Sequence, residues 1–171
     1  MSDSFSSSVI AFLQAHEWLA APLVFVLGFA EGIPVISLFV PSSVLFLGIG
    51  SLIGATGGNF WGIWLSAAAG ATLGDCATYL LGRFFKDEAV SLWPFSRYPD
   101  WLNKARAFLE KWGVMAVFAG KFLGFMRPFM PVAAGALQMP FLLFALANAL
   151  SSLAWAGLFL APGWGIGKLV E

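Results

Sequence analysis

Two long apolar tracts separated by one charged stretch set the character of the chain. The first begins at Trp18 and runs to about Ser66 with few polar stops, but Gly32, Pro34 and Pro41 interrupt it. A continuous helix resists such interruptions, because proline lacks the N–H and its ring clashes with the preceding turn. At membrane depth a break survives only where other protein groups or a hydrated gap receive the freed backbone. The tract is therefore expected to be re-entrant, followed by a spanning helix over residues 60–82, with Trp61 and Trp64 at its interface. The second tract, residues 112–167, repeats the plan with breaks at Gly124, Pro128 and Pro131, then a spanning helix from about Phe141 to Pro162.

Shifting the first tract by ninety positions lays Glu31 over Lys121, Phe39 over Phe129 and Pro41 over Pro131. If each half contributes one hairpin and one crossing, the odd crossing number inverts the second half relative to the first. The expected fold is thus an all-α integral membrane protein, an inverted repeat of two re-entrant helical hairpins, each followed by a transmembrane helix. Residues 1–17 form an N-terminal interfacial helix in this scheme, and residues 18–167 the transmembrane domain. Glycines recur every fourth residue at Gly50, Gly54, Gly58 and Gly62, at Gly70 and Gly74, at Gly120 and Gly124, and at Gly163 and Gly167. That spacing lets helix backbones approach closely.

Composition agrees with lipid as the solvent: 60% of the 171 residues are hydrophobic and 11% charged, with a mean hydropathy of +0.85. No Lys or Arg precedes the first apolar run, which argues against a cleavable signal peptide. The loop at about 84–111, counted from Arg83, holds six basic residues (Arg83, Lys86, Arg97, Lys104, Arg106, Lys111) against four acidic ones (Asp87, Glu88, Asp100, Glu110). Its basic excess marks it as cytoplasmic, with residues 100–111 as an amphipathic helix on that membrane surface. Zero net charge gives no sign of a nucleic-acid partner. A single histidine, His16, and a single cysteine, Cys76, cannot build a metal centre, and no nucleophile–base pairing or phosphate-cradling loop is visible. No cofactor and no enzymatic activity are expected.

Four charges remain within the apolar tracts: Glu31, Asp75, Lys121 and Arg127. An ionisable group near the bilayer centre costs about 2.5–3.5 kcal/mol even on the most lenient scale, so its presence calls for pairing or function. Glu31 adjoins the Gly32 and Pro34 break; Lys121 and Arg127 flank Gly124, and Pro128 follows. Guanidinium and ammonium together suit a phosphate or carboxylate, and the four charges cancel if they meet in one cavity. Asp75, Tyr79 and Arg83 align on one helix face at i, i+4 and i+8, with Arg83 as an anchor at the loop.

The succession FAEGIPVISLFVPSS, GATLGDCATYLLGR and FAGKFLGFMRPFMPVAAG, with its GDxxxYxxGR and RPFxPxxAG stretches, resembles the DedA family, also called the VTT domain, over about residues 18–167. The resemblance implies two hairpins facing each other from opposite membrane sides. It also implies an inner-membrane, multi-pass protein that moves an anionic lipid carrier such as undecaprenyl phosphate, or a phospholipid, between leaflets. By the same resemblance the intramembrane acid falls on Glu31, the helix aspartate on Asp75 and the basic pair on Lys121 and Arg127. Three positions depart from the family pattern: Ser42 and Ser43 follow Pro41 where a second acid is usual, Lys121 stands for arginine, and Gly124 for proline. The absent acid at Ser43 puts proton coupling in question. The expected partners are membrane lipids with anionic headgroups, and a homo-oligomer stays open. Two alternatives to lipid transport are a proton- or cation-coupled solute carrier using Glu31 and Asp75, and a non-transporting scaffold packing through its glycine faces.

Overall fold

The computed structural model describes residues 17–37, 42–91 and 95–169, and all regular structure within them is helical. Helix α1 (Glu17–Glu31) ends at the Gly32 break and is followed by the single turn α2 (Pro34–Ser37). Helix α3 (Ser42–Thr56) then leads into α4 (Phe60–Ser91). A 3-10 turn (Phe95–Arg97) and the amphipathic α5 (Pro99–Trp112) form the polar connection. The second half comprises α6 (Val114–Gly120), a 3-10 turn (Gly124–Met126), α7 (Phe129–Ala136) and α8 (Phe141–Leu169).

Lengths sort these helices. At about 1.5 Å per residue the 15-residue arms α1 and α3 are each about 22 Å long, short of the ~30 Å hydrocarbon core. Among the described residues, α8 alone is long and apolar enough to cross a membrane by length and composition. Helix α4 is longer still but carries Asp75 and Arg83. Lys86, with φ 43° and ψ −116°, breaks its axis, so the straight part covers residues 60–85. From Trp61 to Arg83 that axis extends about 33 Å at 1.5 Å per residue, again the thickness of the hydrocarbon.

The helices pack in an exchanged pattern. In each half a first short helix lies on that half's own long helix, α1 on α4 and α6 on α8, whereas a second lies on the other half's, α3 on α8 and α7 on α4. The long helices α4 and α8 also touch. Exchanging α1 with α6, α3 with α7 and α4 with α8 leaves this set of contacts unchanged. Both apolar cores accordingly mix the halves: one gathers Tyr79, Leu102, Phe129 and Phe144, the other Phe46, Ile63, Trp155 and Leu160.

Reciprocal glycine seams make the close approaches. A Cβ at Gly50 or Gly54 would strike the carbonyl of Leu160 or Trp164 on α8, and one at Gly163 or Gly167 the carbonyl of Leu47 or Ser51 on α3. Gly70 and Gly74 meet the carbonyls of Phe25 and Phe29 in the same way, while Gly28 returns the contact to Ala67 at 2.6 Å. Gly82 and Gly135 lock α4 to α7 against Val132 and Tyr79. Lipid tails are as apolar as leucine, so backbone proximity and dispersion, not the hydrophobic effect, hold such seams.

Several sequence expectations need correction. The second spanning helix does not stop at Pro162 but runs through it to Leu169, because the close α3 seam on either side supports the turn that proline weakens. Residues 84–91 are helical on either side of the Lys86 break. Helix α5 has the expected amphipathicity, but Leu102, Ala105 and Leu109 face protein in the α7 core, not a membrane surface. Gly120 meets only the Met130 side chain, and Gly124, with φ 43°, meets nothing within 4 Å, so this pair forms no seam. Trp64 is a packing residue whose Nε1 donates to the Leu153 carbonyl at 2.9 Å, whereas Trp61 is exposed. The interfacial helix expected at residues 1–17 lies outside the described residues except for Glu17, as do Phe39 and Pro41.

Two glycines one turn face apart on α8 test the seam. Gly163→Ala is expected to lower stability by about 1–3 kcal/mol, since backbone must move. Gly165→Ala, where nothing lies within 4 Å, is expected to be neutral or to stabilise by up to about 1 kcal/mol through helix propensity. Thermal unfolding of both in the same detergent measures the difference.

Candidate functional site

Lys121 directly follows α6, where the helix ends in a turn, and its ammonium enters the protein between the two long helices. Nζ donates to Asp75 Oδ2 on α4 at 2.5 Å, and to Asn148 Oδ1 at 3.1 Å and Ser152 Oγ at 2.5 Å on α8. Three donors meet three acceptors, the full capacity of an ammonium. Asn148 and Ser152 are i, i+4 neighbours and so share a helix face. Asn148 is itself oriented by donating from Nδ2 to the Thr72 carbonyl at 3.2 Å. Lys121 and Asp75 are only 5% and 6% exposed, so this ion pair is shielded from water and lipid alike. Breaking such a pair from one side costs about 3–5 kcal/mol, because the other charge stays buried.

The second cation occupies the same interrupted stretch. Arg127 closes the Gly124–Met126 turn, and Pro128, which has no N–H to satisfy, starts α7 behind it. Arg127 Nη1 donates to Glu31 Oε1, the last residue of α1, and the guanidinium lies 4.2 Å above the Trp155 ring. That cation–π contact fixes the plane of the group. Its Nε and Nη2 are buried and find no hydrogen-bond partner among the described residues. Leaving charged donors in that condition costs at least about 1–3 kcal/mol each.

The two ion pairs adjoin. Gly32, next to Glu31, packs so tightly on α4 that a Cβ there would lie 2.5 Å from the Asp75 nitrogen, and the Thr78 hydroxyl donates to the Gly32 carbonyl at 2.8 Å. A cavity of about 10 Å³ lies between them, bordered by Asp75, Lys121, Arg127 and Asn148 with Met130 and Phe144 on its apolar side. That is room for about one water. Three of the four sequence-predicted charges border it, and Glu31 stands behind Arg127.

Tyr79 and Arg83 belong elsewhere, about 12 Å from Asp75 for Arg83 by helix rise. Arg83 Nη1 donates to the Tyr79 hydroxyl at 2.7 Å and to the Met139 carbonyl at 3.3 Å, and Tyr79 also donates to that carbonyl. Gln138 Nε2 returns a bond to the Arg83 carbonyl at 3.1 Å. Together they tie the α7–α8 turn to α4 and touch no part of the cavity. Ser43 sits at the start of α3, with its side chain outside the described residues. Sequence reasoning missed Asn148, Ser152 and Trp155, and the one available signal was polar side chains within the apolar run after Phe141. Among the described residues no group of three or more His, Cys, Asp or Glu side chains could hold a metal.

The VTT domain family matches residues 40–165. The inner membrane protein YabI of Escherichia coli (strain K12) is 30% identical over 86% of this chain and 58% of its own. An uncharacterized membrane protein of Synechocystis is 30% identical over 77% of this chain and 61% of its own, and one of Mycobacterium tuberculosis 36% identical over 56% and 46%. The chain therefore spans about half to three fifths of the length of these relatives. No solved structure matches it. The matched region covers α3, α4, the turn that carries Lys121 and Arg127, and most of α8, and the chain belongs to the VTT-domain, or DedA, family of membrane proteins.

Proposed function

We propose that the protein is a lipid transporter of the flippase or scramblase kind, moving an anionic lipid such as undecaprenyl phosphate or a phospholipid between the leaflets of the inner membrane. One observation carries this: Lys121, buried, and Arg127, half-buried, share one interrupted turn and are held by acids from the other half of the chain, beside a small gap. The anionic headgroup enters that gap while its tails stay in lipid. The gap holds about one water, so admitting a headgroup requires the helices around it to move apart.

The architecture behind the proposal is an inverted repeat of two re-entrant hairpins. Supporting it are the short arms, the exchanged packing that maps onto itself, and the equivalent positions of Glu31 and Lys121 at the ends of α1 and α6. Transporters with inverted repeats place substrate where broken helices meet. Protonatable Glu31 and Asp75 also suit a proton- or cation-coupled solute carrier, which would dissipate an ion gradient without moving lipid.

Reconstituted into liposomes with labelled undecaprenyl phosphate or phospholipid, the protein is expected to accelerate leaflet exchange of at least one. Arg127→Glu is expected to reduce that rate at least tenfold. Ion-gradient dissipation with no lipid exchange would instead select the solute carrier. Topology is checked by cysteine accessibility in a Cys76→Ala background: Lys104→Cys is expected to label from the cytoplasm and Lys168→Cys from the opposite side. Labelling of both from one side would contradict a spanning α8.

A further inference from the structure

We infer that the two paired cations divide the work: the side edge of Arg127 is an oxyanion subsite, and Lys121 is a structural cation that does not ligate the anion. The inference rests on the proposed transport of an anionic lipid and assigns its headgroup contact to one residue. The hydrogen bonds separate the two cations. Lys121 has spent all three donors on Asp75, Asn148 and Ser152, so no N–H is left for a ligand unless the pair breaks. Arg127 uses Nη1 on Glu31, and Nε and Nη2 have no acceptor.

Those two donors are not an arbitrary remainder. Nε–H and the adjacent Nη2–H are parallel and form one complete fork of the guanidinium, matched to two oxygens of a phosphate or carboxylate. Trp155 below the guanidinium and Glu31 at the far nitrogen hold the plane, and neither contact uses the two donors of that edge. Arg127 also borders the small cavity beside Lys121 and Asp75. Glu31 also offsets the arginine charge, so an arriving anion is recognised mainly by geometry. Lysine, a point charge with no fork, cannot reproduce that recognition.

The test compares affinities and thermal stability in maltoside micelles, with dodecyl phosphate and inorganic phosphate as probes. Wild type is expected to bind dodecyl phosphate. Arg127→Lys is expected to bind it at least tenfold more weakly with little change in melting temperature. Ser152→Ala, which removes one acceptor from the Lys121 cage, is expected to melt lower yet bind within threefold of wild type. If Arg127→Lys proves unstable, the paired Glu31→Gln/Arg127→Gln variant removes the fork without leaving a lone charge, and the same loss of affinity is expected. Equal binding of inorganic phosphate supports the subsite and makes its source a free oxyanion, which overturns the lipid transporter and not the edge. Unchanged affinity in Arg127→Lys, a parallel loss in Ser152→Ala, or no binding of either probe by wild type overturns the inference.

Discussion

Taking an ammonium and a carboxylate out of water costs several kcal/mol per ion, and their attraction repays this only where every remaining donor and acceptor is also met. Lys121 meets that condition with acceptors drawn from both long helices: Asp75 from α4, Asn148 and Ser152 from α8. The contact therefore determines how the halves of the chain sit. If α8 rotated by one residue, about 100°, it would carry Asn148 and Ser152 away and leave a buried cation with one partner. The second pair, Arg127 with Glu31, ties the broken turn of one half to the helix end of the other.

Polar contacts of this kind need backbones that come close, and the glycine seams supply them. Gly32 and Gly74 let α1 end against α4 at Asp75, which places Glu31 one residue from the glycine that packs on the Lys121 partner. On the opposite side Gly163 and Gly167 hold α3 to α8, with Trp155 one helical stretch away under Arg127. Larger residues at the seams would separate the helices and open the ion pairs to lipid. Packing and charge thus support each other here, since the seams bring the partners of each ion pair within reach.

Much of this was legible in the chain. Proline and glycine breaks, the four charges inside apolar sequence and the amphipathic stretch near residues 100–111 all carry local physical signals, and the structure brings Glu31, Asp75, Lys121 and Arg127 into two adjoining pairs. Other features have no local signal. Helix α8 continues through Pro162 because of a tertiary seam, and α5 turns its apolar stripe inward because α7 lies there. Asn148 and Ser152 look, in sequence, like two small polar residues that any membrane helix tolerates. Only the folded arrangement shows that they complete the coordination of a lysine 27 and 31 residues earlier. Arg83, expected to anchor at the loop, does bind backbone, but its target, the Met139 carbonyl, lies 56 residues away and could not be named from spacing.

The central claim is that Lys121 and Asp75 act as one buried unit joining the two halves, and a double-mutant cycle on folding stability tests it most directly. Unfolding free energies in a fixed detergent would be measured for Asp75→Leu, Lys121→Met and the double variant. Each single change is predicted to cost about 3–5 kcal/mol, and the double change much less than their sum, since no charge is then stranded. Losses that simply add would contradict the account.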